Sequence, residues 1–280
     1  MFPELLPAVP GPIGVFDSGF GGLTILRDIC RRLPDYDYLF LGDNARAPYG
    51  TRSFDVVYRF TLQAVRYLFA QGCHLVILAC NTASAKALRT IQQCDLPAID
   101  PSRRVLGVIR PTVEILSERT RNGHIGIVGT PGTVASRSYD IEIGKMHPDM
   151  RVTAHACPMW VPLVENRETT TPGARYFVER DIRVLLDVDP DIDTLILGCT
   201  HYPLLSDMIR AALPAGVDVL SQGRVVADSL ADYLRRHPDM AARCTIGGTV
   251  RYLTTENADR FSEMASMFMG HPVQAVQVEL

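Results

Sequence analysis

Cys80 and Cys199 occupy equivalent places in the chain. In "LVILACNTAS" an apolar run, Leu75–Ala79, ends at Cys80 and gives way to the small polar residues Asn81, Thr82 and Ser84. In "LILGCTHYP" the run Leu195–Leu197 leads to Cys199, Thr200 and His201. Apolar runs followed by small polar capping residues read as buried strands that turn into helices. In open parallel sheets, ligands bind at the carboxyl ends of strands. A thiol at that junction also meets the positive end of a helix dipole, which lowers its pKa from roughly 8.5. Each sulfur is therefore expected to be reachable and ionisable. One such thiol suggests a nucleophile. A pair from separate halves suggests opposed acid–base chemistry, in which one thiolate removes a proton from a carbon and the facing thiol delivers another, inverting a stereocentre.

Other residues suit the same chemistry. "FDSGFGG" contains Asp17 and Ser18 and departs from the dinucleotide fingerprint, because Thr24 stands where its last glycine belongs. Asp17 would repel a phosphate; it suits an ammonium group, or a role in orienting or accepting protons near a thiol. "GDNARAPYG" carries Tyr49 and Gly50 in a polar loop, and backbone N–H groups in such turns can hold a carboxylate. His201 is suited to general acid–base work or to partnering the thiol two positions before it. Glu165 interrupts the apolar stretch "MWVPLVENRE", where burial would raise its pKa unless a cation or hydrogen bonds keep it ionised. Cys30, Cys73, Cys94, Cys157 and Cys244 read as small hydrophobes without a chemical role.

The positioning elements follow from patterning. Strand-like runs recur at Ile13–Phe16, Tyr38–Leu41, Leu75–Ala79, Val105–Val108, Ile125–Val128, Val152–Ala156, Leu195–Leu197 and Val217–Leu220. Helical stretches separate them at Leu23–Arg32, Asp55–Gln71, Ala83–Gln92, Arg175–Leu186 and Pro203–Ala212. This alternation calls for an α/β fold with parallel sheets. "IGVFDSGFGG" upstream of Cys80 matches "IGIVGTPGT", with Thr130, upstream of Cys199. Two similar α/β halves follow, each offering a loop pair and one cysteine.

Bulk properties set outer limits. A length of 280 residues suits two domains, and a formal net charge of −3 argues against a dedicated nucleic-acid binder. "MFPELLPAVPGP" lacks a basic leader and is interrupted by Pro3, Pro7 and Pro10, so neither a signal peptide nor a membrane helix is expected. In a reducing cytosol the seven cysteines should be mostly free thiols, and the lack of a Cys-x-x-Cys pair weighs against structural zinc. No lysine-centred cofactor loop is evident. A site without a cofactor must stabilise a carbanionic transition state with preorganised donors, for which Asn81, Thr82 and Thr200 are suited. A cysteine phosphatase would need arginine where Lys86 stands, and a non-enzymatic amino-acid binder gives no reason for paired thiols.

Taken in order, "GVFDSGFGGL", "YLFLGDNARAPYG", "ACNTAS", "IGIVGTPGTVASRSY", "CPMWVPLVE" and "GCTHYPLL" resemble the glutamate racemases of the aspartate/glutamate racemase family. The resemblance implies a cofactor-independent isomerase that interconverts L- and D-glutamate and supplies D-glutamate for bacterial peptidoglycan. It implies two pseudosymmetric α/β domains with mainly parallel sheets and the active site in the cleft between them. Residues 1–104 plus 221–280 would form the first, carrying Asp17 and Cys80. Residues 105–220 would form the second, carrying Glu165, Cys199 and His201. By motif match Cys80 and Cys199 are the catalytic thiols, assisted by Asp17 on one side and by Glu165 with His201 on the other. Substrate contacts fall on Asp17, Ser18, Tyr49, Gly50, Asn81, Thr82, Thr200 and His201, with Thr130 nearby. No metal and no membrane partner are implied, a homodimer is the usual assembly, and some members also inhibit DNA gyrase. Two departures stand out: Asn44 where Thr is common, and Ser221-Gln222 where many members carry Asp-Ser. The tail "YLTTENADRFSEMASMFMG" is read as the C-terminal helix.

Overall fold

The computed structural model describes residues 9–280; residues 1–8, which include Pro3 and Pro7, lie outside it. Among the described residues ten strands form: β1 Ile13–Asp17, β2 Tyr38–Gly42, β3 Leu75–Leu78, β4 Arg104–Gly107, β5 His124–Gly129, β6 Arg151–Ala156, β7 Thr194–Gly198, β8 Asp218–Leu220, β9 Val250–Thr254 and β10 Ala275–Gln277. They make a six-stranded sheet in the order β10-β9-β2-β1-β3-β4 and a four-stranded sheet in the order β6-β5-β7-β8. Every pairing between these strands is parallel. The expected fold class is the one that forms: mixed α/β, with two parallel sheets. Helices cover both faces of such sheets, which is why β1, β2, β3 and β7 are buried along their whole length and read as unbroken apolar runs.

Three helices matter most for the site. Leu23–Arg32 follows β1 and buries Leu23, Ile25, Leu26 and Ile29, while Arg31 and Arg32 face the negative end of its dipole. Gln222–Arg236 follows β8, packs against Leu23–Arg32 and buries Val226, Ala227, Leu230 and Leu234. Asn81–Lys86 follows β3 after two residues, Ala79 and Cys80. One apolar cluster joins Ile13, Val15 and Ile77 of the larger sheet to Leu195, Leu197 and Trp160 on the smaller side, so the halves share a core. The chain crosses from the larger sheet to the smaller after β4 and returns after β8.

Some expectations need correction. The helix read over Ala83–Gln92 is broken at Ala87, whose φ of −116° departs from helical values, and continues as short turns through Ile99. The tail is not one helix: Tyr252–Thr254 belongs to β9, hydrogen-bonded to β2, and the helix starts at Ala258 after Asn257 caps it by accepting from Arg260 N–H at 2.9 Å. β10 was not anticipated. β4 begins at Arg104, so a division between residues 104 and 105 falls inside that strand.

Candidate active site

The residues singled out from the sequence come together where the strands of the two sheets end. β1 stops at Asp17, which is fully buried. Its Oδ2 accepts from Gly19 N–H at 2.9 Å, while Oδ1 has no hydrogen-bond partner among the described residues. Burial pushes the Asp17 carboxyl above the usual range; the charge of His201 and the N–H groups of Gly19 and Gly22 oppose that shift.

Cys80 caps the helix Asn81–Lys86: its sulfur accepts from Ala83 N–H at 3.5 Å and lies 3.4 Å from Ser18 Oγ. The sequence correctly put this thiol at a helix start, yet its expected acidity is overturned. Burial, reinforced by the neighbouring Asp17, pushes the Cys80 thiol up to about 12. Ser18 and the Ala83 N–H act in the opposite direction and do not offset a sulfur whose residue is 5% exposed.

The Cys199 side is built differently. β7 ends at Gly198, and the following turn places Cys199 Sγ 3.9 Å from His201 Nδ1. The helix Trp160–Glu165 ends so that Glu165 Oε1 meets His201 Nε2 at 3.1 Å. Burial alone would lower the His201 pKa, but Cys199 and Glu165, one on each ring nitrogen, raise it to about 10. His201 therefore carries a proton, and a positive charge, beside the second sulfur.

The two sides meet closely. A Cβ on Gly21 would lie 2.2 Å from Thr200 Oγ1 and 2.5 Å from His201 Nδ1, so only glycine lets the loop after β1 approach the end of β7. A Cβ on Gly50 would lie 2.8 Å from Thr130 Cβ. Thr24 Oγ1 donates to the Thr200 carbonyl at 3.1 Å. Thr82, Thr130 and Thr133 form a triangle of hydroxyls with edges of 2.9, 3.2 and 3.0 Å.

Between these loops lies a cavity of about 140 Å³. At about 30 Å³ per water it holds roughly five waters, the size of a small metabolite. Ser18, Tyr49, Gly50, Cys80, Asn81 and Thr82 line it from the larger sheet's side; Thr130, Glu165, Cys199, Thr200 and His201 line it from the other. Of the residues expected at the site, Asp17 alone does not reach the cavity wall; it sits behind Cys80 and His201. The sequence reading missed Cys157, Val161 and several prolines of the wall, among them Pro48, Pro158 and Pro162. Those of "CPMWVP" were legible only as a motif, because nothing local marks Cys157 as facing a cavity.

Two side-chain groups have metal-ligand spacing among the described residues: His155, Cys157 and Asp181, and His124, Asp189 and Asp191. Each already holds a protein cation. Arg180 donates to Asp181 Oδ1 at 2.8 and 2.6 Å, and Arg151 lies 3.3 Å from Asp189. No described helix is long and apolar enough to cross a membrane.

The family model for Asp/Glu/Hydantoin racemases matches residues 22–230. The chain belongs to this family. Within it, the racemase is 43% identical over 267 residues to a glutamate racemase of Ruegeria sp. strain TM1040, covering 92% of this chain and 96% of the relative. Its structure matches that of a glutamate racemase isoform from Bacillus anthracis with a TM-score of 0.87 at 34% identity, covering 96% of this chain and 98% of the other. A glutamate racemase from Francisella tularensis, solved in complex with D-glutamate, matches with a TM-score of 0.86 at 30% identity over 97% of this chain and 98% of its own.

Proposed function

We propose that this racemase interconverts L- and D-glutamate without a cofactor, using Cys80 and Cys199 as opposed acid and base. The observation that carries the reading is that both sulfurs line one metabolite-sized cavity from different sheets. The substrate assignment rests on the names of relatives at 42–43% identity and on the D-glutamate complex of the Francisella structure.

With L-glutamate bound, Cys199 takes the α-proton and Cys80 delivers one to the opposite face. The Cys80 thiol, held protonated by burial, is already the donor this direction needs. Turnover leaves the proton on Cys199 and the charge on Cys80, the form that accepts D-glutamate. On the Cys199 side, His201, braced by Glu165, holds positive charge beside the reacting sulfur; on the Cys80 side the buried Asp17 carboxyl stands behind the wall. Ser18, Gly50, Asn81, Thr82, Thr130 and Thr200 supply neutral donors to the substrate's carboxylates, and Tyr49, whose hydroxyl donates to Asp43, forms part of the wall. Such donors, fixed before the substrate arrives, stabilise the carbanionic transition state without reorganising. The larger sheet and its helices form one domain and residues of the smaller sheet the other, with the cleft between them. D-glutamate produced in the cytoplasm by a homodimer would feed peptidoglycan synthesis.

Incubation of pure L-glutamate in deuterium oxide, with no added cofactor, tests this. Optical rotation should decay to zero while deuterium enters the α-carbon. Loss of rotation without deuterium at that carbon, or no reaction at all, would overturn the reading.

A further inference from the structure

Gln222, at the departure from the family pattern, lies at the start of the helix that returns the chain from the smaller sheet. It is 2% exposed. Its Oε1 accepts from Asn81 Nδ2 at 2.6 Å, and its Nε2 donates to Tyr139 OH at 2.8 Å. Tyr139 in turn donates its hydroxyl hydrogen to Asn81 Oδ1 at 2.7 Å. The three side chains form a closed ring of hydrogen bonds, all running in one sense.

That sense is fixed from outside the ring. Gln222 Nε2 also donates to Thr112 Oγ1 at 2.9 Å and, more distantly, to the Val108 carbonyl at 3.3 Å. Thr112 already donates its hydroxyl hydrogen to the Val108 carbonyl at 2.7 Å, so towards Gln222 it can only accept. The Gln222 nitrogen must therefore face Thr112, its oxygen must face Asn81, and Asn81 must present its nitrogen to Gln222 and its oxygen to Tyr139. A flipped Asn81 would set two carbonyl oxygens against each other in a buried site, the costly arrangement. Asn81 is left with one Nδ2 hydrogen that finds no acceptor among the described residues, on a side chain that lines the cavity.

We propose that Gln222 is a positioning residue. Through Tyr139 and the Val108–Thr112 turn it locks the Asn81 amide, so that an N–H donor rather than a carbonyl oxygen is available to an anionic substrate. This rests on the racemase reading given above. Val108 and Gln222 lie at the two points where the chain passes between the sheets, so the lock ties both passages to a cavity residue.

The test compares Gln222→Met, Tyr139→Phe and Asn81→Ala, singly and combined, by steady-state kinetics in both directions on folded protein. Gln222→Met should lower kcat/KM about tenfold or more, mainly through KM, and Tyr139→Phe should do so severalfold. In the Asn81→Ala background Gln222→Met should add no further loss, because residues that act through one another are non-additive. The proposal is overturned if Gln222→Met lowers only the melting temperature and leaves KM and kcat unchanged, or if its cost persists in full without Asn81. Should Gln222→Met fail to fold, Tyr139→Phe, which deletes one oxygen, decides: unchanged kinetics there would also overturn it. Failure of the wild-type chain to exchange the α-proton of glutamate is a separate result and strikes the functional reading instead.

Discussion

The two sides of the cavity begin from the same sequence plan and end with different electrostatics. Each has an apolar strand, a cysteine at its end and small polar residues after it. At Cys80 the nearest ionisable neighbour is a buried carboxyl, Asp17, and the proton stays on sulfur, with the thiol pushed up to about 12. At Cys199 the neighbour is an imidazole braced by Glu165, and a proton stays on His201, raised to about 10. The repeated sequence plan thus sets where the sulfurs stand, while the residues packed behind them set the charge that surrounds each. A cysteine's place at a helix start does not determine its acidity once burial outweighs one short helix's dipole.

The largest effect expected from breaking this pair is the loss of either sulfur. Cys80→Ala and Cys199→Ala should each reduce racemisation by about 10³-fold or more, within the usual range for removing an essential acid–base group. Each should retain α-proton exchange or elimination on one enantiomer only, and on opposite ones. Proton NMR of each enantiomer in deuterium oxide measures this; the same residual handedness in both variants would erase the distinction between the sides. Next, His201→Asn should slow the reaction by about 10²-fold, with the greater loss when Cys199 is the base. Equal losses in the two directions, read by polarimetry from each enantiomer, would show that His201 serves both sulfurs alike.

Gly21→Ala is smaller and tests how closely the sides meet. The added methyl, 2.2 Å from Thr200 Oγ1, should destabilise the protein by about 1–3 kcal/mol in urea unfolding, as overpacking does. A further effect is on pH dependence. Because the folded His201 pKa, about 10, lies above the ordinary histidine value of roughly 6.5, its stabilising contribution is complete below about pH 6.5. That contribution declines above pH 6.5 and is lost as pH rises past 10. Melting temperature should therefore fall across that window in the wild type, and His201→Asn should flatten the fall.

Much of this arrangement was legible before any coordinates. β3 and β7 are buried on both faces, so their apolar runs end sharply and mark Cys80 and Cys199. Asp17, Ser18 and Tyr49 were legible through the motifs that carry them, "FDSGFGG" and "GDNARAPYG", and through the family resemblance of those motifs. What escaped depends on distant neighbours. β9 is short and mixes Arg251 and Thr254 with its apolar residues, and only pairing with β2, some two hundred residues earlier in the chain, makes it a strand. The acidity of Cys80 depends on burial among residues drawn from distant parts of the chain, from Phe16 to Leu253. Gln222 was visible as an oddity, but its meaning lies in a bond to a residue 141 positions away.

The threonine triangle at the cavity has one more consequence. Thr82 belongs to the helix after β3, and Thr130 and Thr133 to the turn after β5, so these three hydroxyls latch one half of the molecule to the other. Cys80 and Cys199, only 5% and 6% exposed, lie in the cavity beside this latch. If these hydroxyls part as glutamate enters and leaves, a solvent viscous enough to slow that parting should slow the catalytic cycle with it.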